Sequence, residues 1–281
     1  IAAFADNAEG GNPAGVLIGD ELPNEAEMRR IAAAVGYSET AFAMPQGDAW
    51  RVRYFSPESE VPFCGHATIA LGAALAQQYG DGVYPLILND AEITVEGSRE
   101  DDTLSAALQS PPTRSEPMSD ALLAEVLELF GYSCDDLDPA IPPARAHGGA
   151  DHLVIALNSR ELLAAMRYDL DAGRKLMTRE GLITILFAWA ETPRHFHTRN
   201  PFASGGVYED PATGAATAAF AGYLRDIGWP HGGSIEVIQG EDMGSRSRLY
   251  ATIPETPGTS IRVSGATRAI DATRVTGSTR D

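Results

Sequence analysis

Lysine is almost missing from this 281-residue chain: Lys175 stands beside twenty arginines, and no three basic residues follow one another. Against 21 basic residues there are 39 acidic ones, a formal charge of −18 at pH 7. Nucleic-acid binding draws its affinity from clustered Lys and Arg that release counterions from phosphates, and anionic membrane surfaces attract the same clusters. The chain offers no such cluster, so neither partner is expected. Cysteine is scarce too. Cys64 and Cys134 cannot form a disulfide framework in a chain this long, which suits a reducing compartment with Cys134 as a free thiol. No run approaches the ~20 apolar residues of a membrane helix, and no secretory pattern opens the sequence. A cytoplasmic protein is the expectation.

Several fingerprints are also lacking. There is no G-x-G-x-x-G after a strand, no G-x-x-x-x-G-K-[ST] and no G-x-S-x-G, so dinucleotide, P-loop and serine-hydrolase readings have no support. His195 and His197 fall on one side of a strand, and His147 and His152 lie within fifty residues of them. No Cys/His/carboxylate pattern of recognised spacing joins them, so no metal is expected.

What is present is ordinary globular material. Hydrophobic residues make up 44% of the chain, and the length allows one large domain or two ordinary ones. Seven acids and no base lie between Arg114 and Arg145, which reads as a solvated acidic face. Periodicity and turn residues predict helices over 24–35, 67–78, 119–131, 159–166 and 217–226. Strands are predicted over 51–55, 84–96, 103–109, 152–157, 182–189, 195–197, 235–238, 248–253 and 261–270. The opening residues 1–18 read as strand, tight loop, strand, and the last ten residues as a frayed polar end. Helices and strands mix without strict βαβ alternation, so the fold class is α+β.

An internal repeat organises the rest. Sliding the chain by 149 residues lays Glu60–Leu75 on Glu209–Leu224, with identities at Glu60/Glu209, Pro62/Pro211, Gly65/Gly214, Ala67/Ala216, Thr68/Thr217, Ala70/Ala219 and Leu75/Leu224. Each copy follows a strand closed by proline, Arg51–Pro57 and Arg194–Pro201. The repeated unit is strand, loop, Pro-x-x-Gly turn and small-residue helix. Two such halves suggest a pseudo-two-fold protein with its site between them. A glycine ahead of a small-residue helix exposes first-turn amides that, with the helix dipole, can hold an anion. The competing reading is that both glycines only permit close helix packing. Near these turns stand the acid–base candidates. Glu39 lies between a helix and an apolar strand start, as a proton shuttle or a surface acid. His66 follows Gly65, and Asp210 precedes Pro211, where it could simply cap a helix.

At this point several motifs come together. They are Gly10-Gly11-Asn12-Pro13-Ala14-Gly15-Val16, Ser38-Glu39-Thr40-Ala41-Phe42, Arg53-Tyr54-Phe55-Ser56-Pro57 and Val61-Pro62-Phe63-Cys64-Gly65-His66-Ala67-Thr68. They continue with Gly206-Val207-Tyr208-Glu209-Asp210-Pro211-Ala212-Thr213-Gly214 and Gln239-Gly240-Glu241-Asp242-Met243-Gly244. In this order they resemble the phenazine-biosynthesis PhzF-like family of the diaminopimelate epimerase-like superfamily, over nearly the whole chain.

The resemblance implies two pseudo-symmetric α+β domains, each a curved, mostly antiparallel sheet around a central helix. The expected halves are 1–113, completed by the C-terminal strand 259–271, and 114–258, with the active-site cleft between them. It also implies a cofactor-free isomerase that moves a proton between carbons of a small cyclic, amino-acid-like carboxylate, similar to 2,3-dihydro-3-hydroxyanthranilate isomerase. A homodimer is implied only by analogy. By position, Glu39 matches the family's acid/base, His66 its hydrogen-bonding histidine, Asp210 its substrate-contacting acid and Asn12 its loop asparagine. The amides around Gly65, Thr213, Gly214 and Ala215 would hold the small anionic substrate. The chain departs from the family where Ala215 replaces the usual serine after Gly214, which removes a hydroxyl from the second turn.

Two other readings stay open beside this one. One is a non-catalytic carboxylate-binding protein on the same fold. The other, disfavoured, is a cysteine epimerase: Cys64 sits in the first repeat, the second repeat has no thiol, and one thiol cannot work both faces of a carbon.

Overall fold

The computed structural model describes residues 1–270, so the expected frayed end and residue 271 of the expected C-terminal strand lie outside the described residues. The chain divides into two compact units. The first is Ile1–Gln109 with the described residues from Ser264 onward, and the second is Ser110–Val263.

The first unit is a mostly antiparallel sheet around one helix. Strand Gly15–Ile18 runs parallel to Thr40–Gln46, which pairs antiparallel with Ala49–Phe55. Ala49–Phe55 then pairs with Glu60–Val61 and, in parallel, with Gly82–Ile87. The antiparallel strands Gly82–Ile87, Glu92–Glu100 and Thr103–Gln109 follow. Residues 84–96, expected as one strand, are thus two strands reversing through Leu88–Ala91, where Leu88 N donates to Ala91 O. Strand Arg262–Arg268 pairs with Ala2–Ala3 and with Thr103–Gln109, joining the start of the unit to its end.

Helix Gly65–Tyr79 carries ten buried residues, six of them Ala, Gly or Thr and His66 among the remainder. A helix buried on all sides needs small side chains to let sheet backbone come close. That approach is tightest at Gly72 and Gly97: a Cβ on Gly97 would lie 2.2 Å from Gly72 O. The outer helix Glu25–Val35 is capped by Asn24, whose side chain accepts from Glu27 N. It buries Met28 and Ala32 against Phe42 and Phe55.

The second unit repeats the plan. Arg114–Pro117, Ala144–His147 and Asp151–Ala156 are antiparallel neighbours, and Asp151–Ala156 runs parallel to Thr184–Thr192. Thr184–Thr192 turns back as His195–Phe202, which flanks Val207–Asp210 and, in parallel, Ser234–Gln239; Ser247–Thr252 completes the run. Helix Gly214–Asp226 is the central one, and it begins three residues before the expected 217.

Residues 152–156 and 184–188 are all buried. Outer helices cover the sheet face opposite the central helix, so these strands read as continuous apolar runs rather than alternating ones. Val126 and Phe130 of helix Asp120–Phe130, Leu163, and Leu176 and Met177 of helix Leu170–Glu180 pack there against Leu153, Ile155, Ile185 and Phe187. The helix Leu170–Glu180 stands outside the segments that periodicity predicts as helical. Its Arg174-Lys175 and Arg179-Glu180 pairs mask the apolar stripe, although Asp169 caps it by accepting from Ala172 N. Among the described residues, no helix is long and apolar enough to cross a membrane.

Candidate active site

In the first unit the strand start and the central-helix start converge. Glu39 immediately precedes strand Thr40–Gln46, and its carbonyl accepts from Gly15 N at 3.1 Å, which fixes its backbone against the parallel neighbour. Its side chain then reaches the first turn of helix Gly65–Tyr79. Glu39 Oε2 lies 3.4 Å from His66 Nε2, with the side chains 17% and 9% exposed. Ser38 Oγ is also 3.4 Å from His66 Nε2, and Cys64 Sγ is 3.4 Å from His66 Nδ1. The carboxylate therefore meets an imidazole in a partly desolvated place, the arrangement a proton carrier needs. Glu39, Cys64 and His66 bring one carboxylate, one thiol and one imidazole atom within 4.8 Å of one another, a trio also compact enough to ligate a soft cation.

A buried scaffold holds this turn. Tyr54 Oη and Thr68 Oγ1 are 2.7 Å apart, and Thr68 Oγ1 donates to Cys64 O at 2.7 Å. Burial pushes the Tyr54 hydroxyl well above its ordinary range, so it stays a neutral hydrogen-bonding group. Asn12, 2% exposed, sits opposite Ala3 in the short pairing near the start of the unit.

Gly65 and Gly72 of the same helix differ in how closely they are packed. A Cβ on Gly65 would meet only Leu108 Cδ2, at 3.9 Å, an ordinary van der Waals distance. Helix packing does not require glycine at 65, whereas it does at Gly72.

In the second unit the repeat-equivalent turn is built differently. By the 149-residue offset Thr213 stands where Cys64 stands, and Ala215 where His66 stands. Thr213 Oγ1 donates to Asp210 Oδ2 at 2.5 Å, so Asp210 braces the threonine ahead of helix Gly214–Asp226. Gln239, fully buried, ties the turn together. Its Oε1 accepts from Thr213 N, and its Nε2 donates to Asp210 O and to Thr213 Oγ1. Asn200 Nδ2 donates to Gln239 Oε1 at 3.4 Å, while Asn200 Oδ1 is buried with no hydrogen-bond partner. Such an acceptor is costly to leave unpaired and marks a place where a donor is wanted. Gly240 follows at φ +75°, and a Cβ there would lie 2.4 Å from Ser245 O and 2.7 Å from Pro211 O.

Of the residues picked from sequence, Glu39 and His66 meet in the first unit beside Gly65. Asp210, Thr213, Gly214 and Ala215 share the turn of the second. Ser38, Gln239 and Asn200 join these residues only in the folded chain. Ser38 adjoins Glu39, and Gln239 opens the quoted Gln-Gly-Glu-Asp-Met-Gly run, but Asn200 carried no signal beyond its neighbouring proline.

The sequence profile of a family described as phenazine biosynthesis-like protein matches residues 1–273. The trans-2,3-dihydro-3-hydroxyanthranilate isomerase of Pseudomonas aeruginosa is 32% identical over 284 aligned residues, covering 99% of this chain and 94% of that protein. Among solved structures, the Bacillus anthracis phenazine biosynthesis protein of the PhzF family superposes with a TM-score of 0.82 at 22% identity, covering 96% of this chain and 95% of that one. A probable proline racemase from Agrobacterium radiobacter superposes at 0.58 with 12% identity, over 92% and 90% of the two chains. The fold is therefore the α+β one shared by these proteins.

Proposed function

The chain belongs to the phenazine biosynthesis-like family and is an isomerase, and we propose that Glu39 is the single acid/base that moves a proton between two carbons of a small cyclic carboxylate. The observation that carries this is the Glu39 carboxylate held 3.4 Å from His66 Nε2, beside the unfilled space at Gly65. Glu39 takes a carbon-bound proton from one ring position, the electron pair delocalises through the conjugated ring, and the same carboxyl returns the proton at another position. Nothing is gained or lost overall.

His66 orients the carboxylate, and Ser38 orients His66. The first-turn amides beyond Gly65 suit the substrate carboxylate. The Asp210–Thr213 turn is the recognition element of the second unit, and Asn200 Oδ1 is an acceptor suited to an N–H or O–H group. The named P. aeruginosa relative makes trans-2,3-dihydro-3-hydroxyanthranilate the first substrate to try.

The thiol reading is weaker by this geometry. Cys64 has Thr213 as its repeat partner, and that hydroxyl is committed to Asp210. A racemising pair needs two proton carriers of similar kind on opposite faces.

The test is incubation in D2O with trans-2,3-dihydro-3-hydroxyanthranilate and a panel of small cyclic carboxylates, read by mass spectrometry. Wild type is expected to label at least one of them. Glu39→Gln is expected to lose more than about 10²-fold of the exchange, the range of general acid–base catalysis, while binding stays within about tenfold, or ~1.4 kcal/mol. Exchange at the wild-type rate in Glu39→Gln would sink the proposal. Tight binding with no exchange on any compound would favour a binding protein, and loss in Cys64→Ser with Glu39→Gln spared would favour the thiol.

A further inference from the structure

Away from the residues assigned above, the hairpin Thr184–Thr192/His195–Phe202 gathers a second set of ligating side chains. His195 and His197 stand two apart on one strand and so share a face. Their rings stack with centroids 5.6 Å apart and planes 22° from parallel. On the paired strand the register shifts between Ala190 and Thr192, so Glu191 is the extra residue of a bulge. Bulges re-aim side chains, and Glu191 Oε2 comes to 3.2 Å from His197 Nε2 and 3.9 Å from His195 Nε2. Only strand pairing brings this third group to the two histidines.

The other ring nitrogens are what distinguish this cluster from a chance surface group. His197 Nδ1 lies 3.2 Å from Glu241 Oε2, and His195 Nδ1 lies 3.9 Å from Glu236 Oε2. Both imidazoles therefore direct Nε2 toward Glu191 and Nδ1 toward separate carboxylates. Those outer carboxylates are themselves anchored. Glu241 takes Arg160 Nη2 at 2.9 Å and Arg246 Nη1 at 2.9 Å, and Glu236 is paired with Arg248. Carboxylate–imidazole–metal relays of this form fix the tautomer and ring orientation of histidine ligands. The arginines neutralise the outer carboxylates, while the ion pairs of Glu191 are to the two imidazoles.

We propose that Glu191, His195 and His197 form a zinc-class divalent metal site in the second unit, with Glu241 and Glu236 as its outer carboxylates. Two imidazoles and one carboxylate suit Zn²⁺, and a tetrahedral ion with bonds of about 2.0–2.1 Å sets its ligands about 3.3 Å apart. The Glu191–His197 separation already has that value, and the Glu191–His195 separation has to close by roughly 0.6 Å. The half-exposed Glu191 side chain leaves the fourth position to water. The proposal does not depend on the isomerase reading, whose proton carrier belongs to the first unit.

Zn²⁺ titrated calorimetrically into the full chain is expected to show one site per chain. The double variant His195→Ala/His197→Ala should lose more than about 100-fold in affinity, and Glu241→Gln about 10–100-fold, the usual effect of removing an outer carboxylate. Co²⁺ bound to the wild-type chain reports the ligand set without any variant: a visible d–d spectrum lacking a thiolate charge-transfer band is expected. No Zn²⁺ binding up to about 1 mM, unchanged affinity in the double variant, or a thiolate band pointing to Cys64 would each overturn the site.

Discussion

Residue 65 shows how one missing methyl group can be assigned a purpose. Gly97 has no alternative, because any Cβ would strike Gly72 O. Gly65 has room for one, with Leu108 Cδ2 its nearest neighbour at 3.9 Å. Alanine is also the better helix former, by up to about 1 kcal/mol. Gly65→Ala is therefore expected to fold with unchanged or slightly raised thermal stability, yet, if the proposed amide site at this turn holds the substrate carboxylate, to raise KM about tenfold. Calorimetric melting together with steady-state kinetics checks both halves. A lowered melting temperature with unchanged KM would return Gly65 to a packing role.

The repeated element carries an ion pair that neither strand shows alone. Glu60 and Glu209 are equivalent by the 149-residue offset, and each is gripped by an arginine from the preceding antiparallel strand. Arg53 Nε and Nη2 donate to Glu60 at 2.7 and 2.6 Å, and Arg199 Nε and Nη2 donate to Glu209 at 3.0 and 2.6 Å. The Arg53 guanidinium holds the Glu60 carboxyl below the usual carboxylate range, and Asn89 adds a donor. The environments differ. The first pair is 22% exposed on both sides, whereas Arg199 and Glu209 are 8% and 3% exposed. Arg199 Nη1 also donates to the carbonyls of Ala164 and Met166 at the end of a short helix.

Breaking a buried pair strands a charge and costs about 3–5 kcal/mol, while an exposed pair is worth about 0–1 kcal/mol. Denaturant unfolding of Glu209→Gln should therefore show a loss of several kcal/mol, and Glu60→Gln a loss near 1 kcal/mol. Equal losses would show that the repeat does not divide its stability this way.

At this scale the sequence was informative where local chemistry decides structure. Asn24 and Ser119 mark helix starts, the two Pro-x-x-Gly turns mark the central helices, and the repeat marks the shared plan. It was silent where pairing decides. Nothing near Leu88–Ala91 announces a reversal inside 84–96, and the charged pairs of 170–180 hide a helix whose apolar stripe makes sense only against Leu153 and Phe187. Gln239 and Asn200 gain their roles from neighbours about 30 and 40 residues away in sequence.

For the whole molecule, acid stability has an identifiable internal contribution. His152 is fully buried, with Nδ1 2.8 Å from Thr184 Oγ1 and Nε2 without a hydrogen-bond partner. Burial lowers it from its ordinary 6.5 to about 3. Above pH 6.5 the imidazole is neutral in the folded and unfolded chains alike, and the folded state keeps its full stability. Below 6.5 the unfolded chain takes up a proton that the folded chain refuses until about pH 3. Stability therefore falls with pH across that window, by up to roughly 1.4 kcal/mol per pH unit from this one group. Unfolding free energies of wild type and His152→Gln between pH 7 and 4 should diverge in slope by that amount. Parallel slopes would remove His152 from the account.

The unequal depth of the two Arg–Glu pairs has a further consequence, in ionic strength. Dissolved ions screen charges over about 8 Å at physiological salt and about 3 Å at 1 M, but only where solvent reaches them. Arg53 and Glu60 are open to that screening, and Arg199 and Glu209 are closed to it. Concentrated salt therefore loosens the strand-to-turn clasp of one repeat and spares its counterpart, so two turns with a common sequence pattern respond unequally to brine.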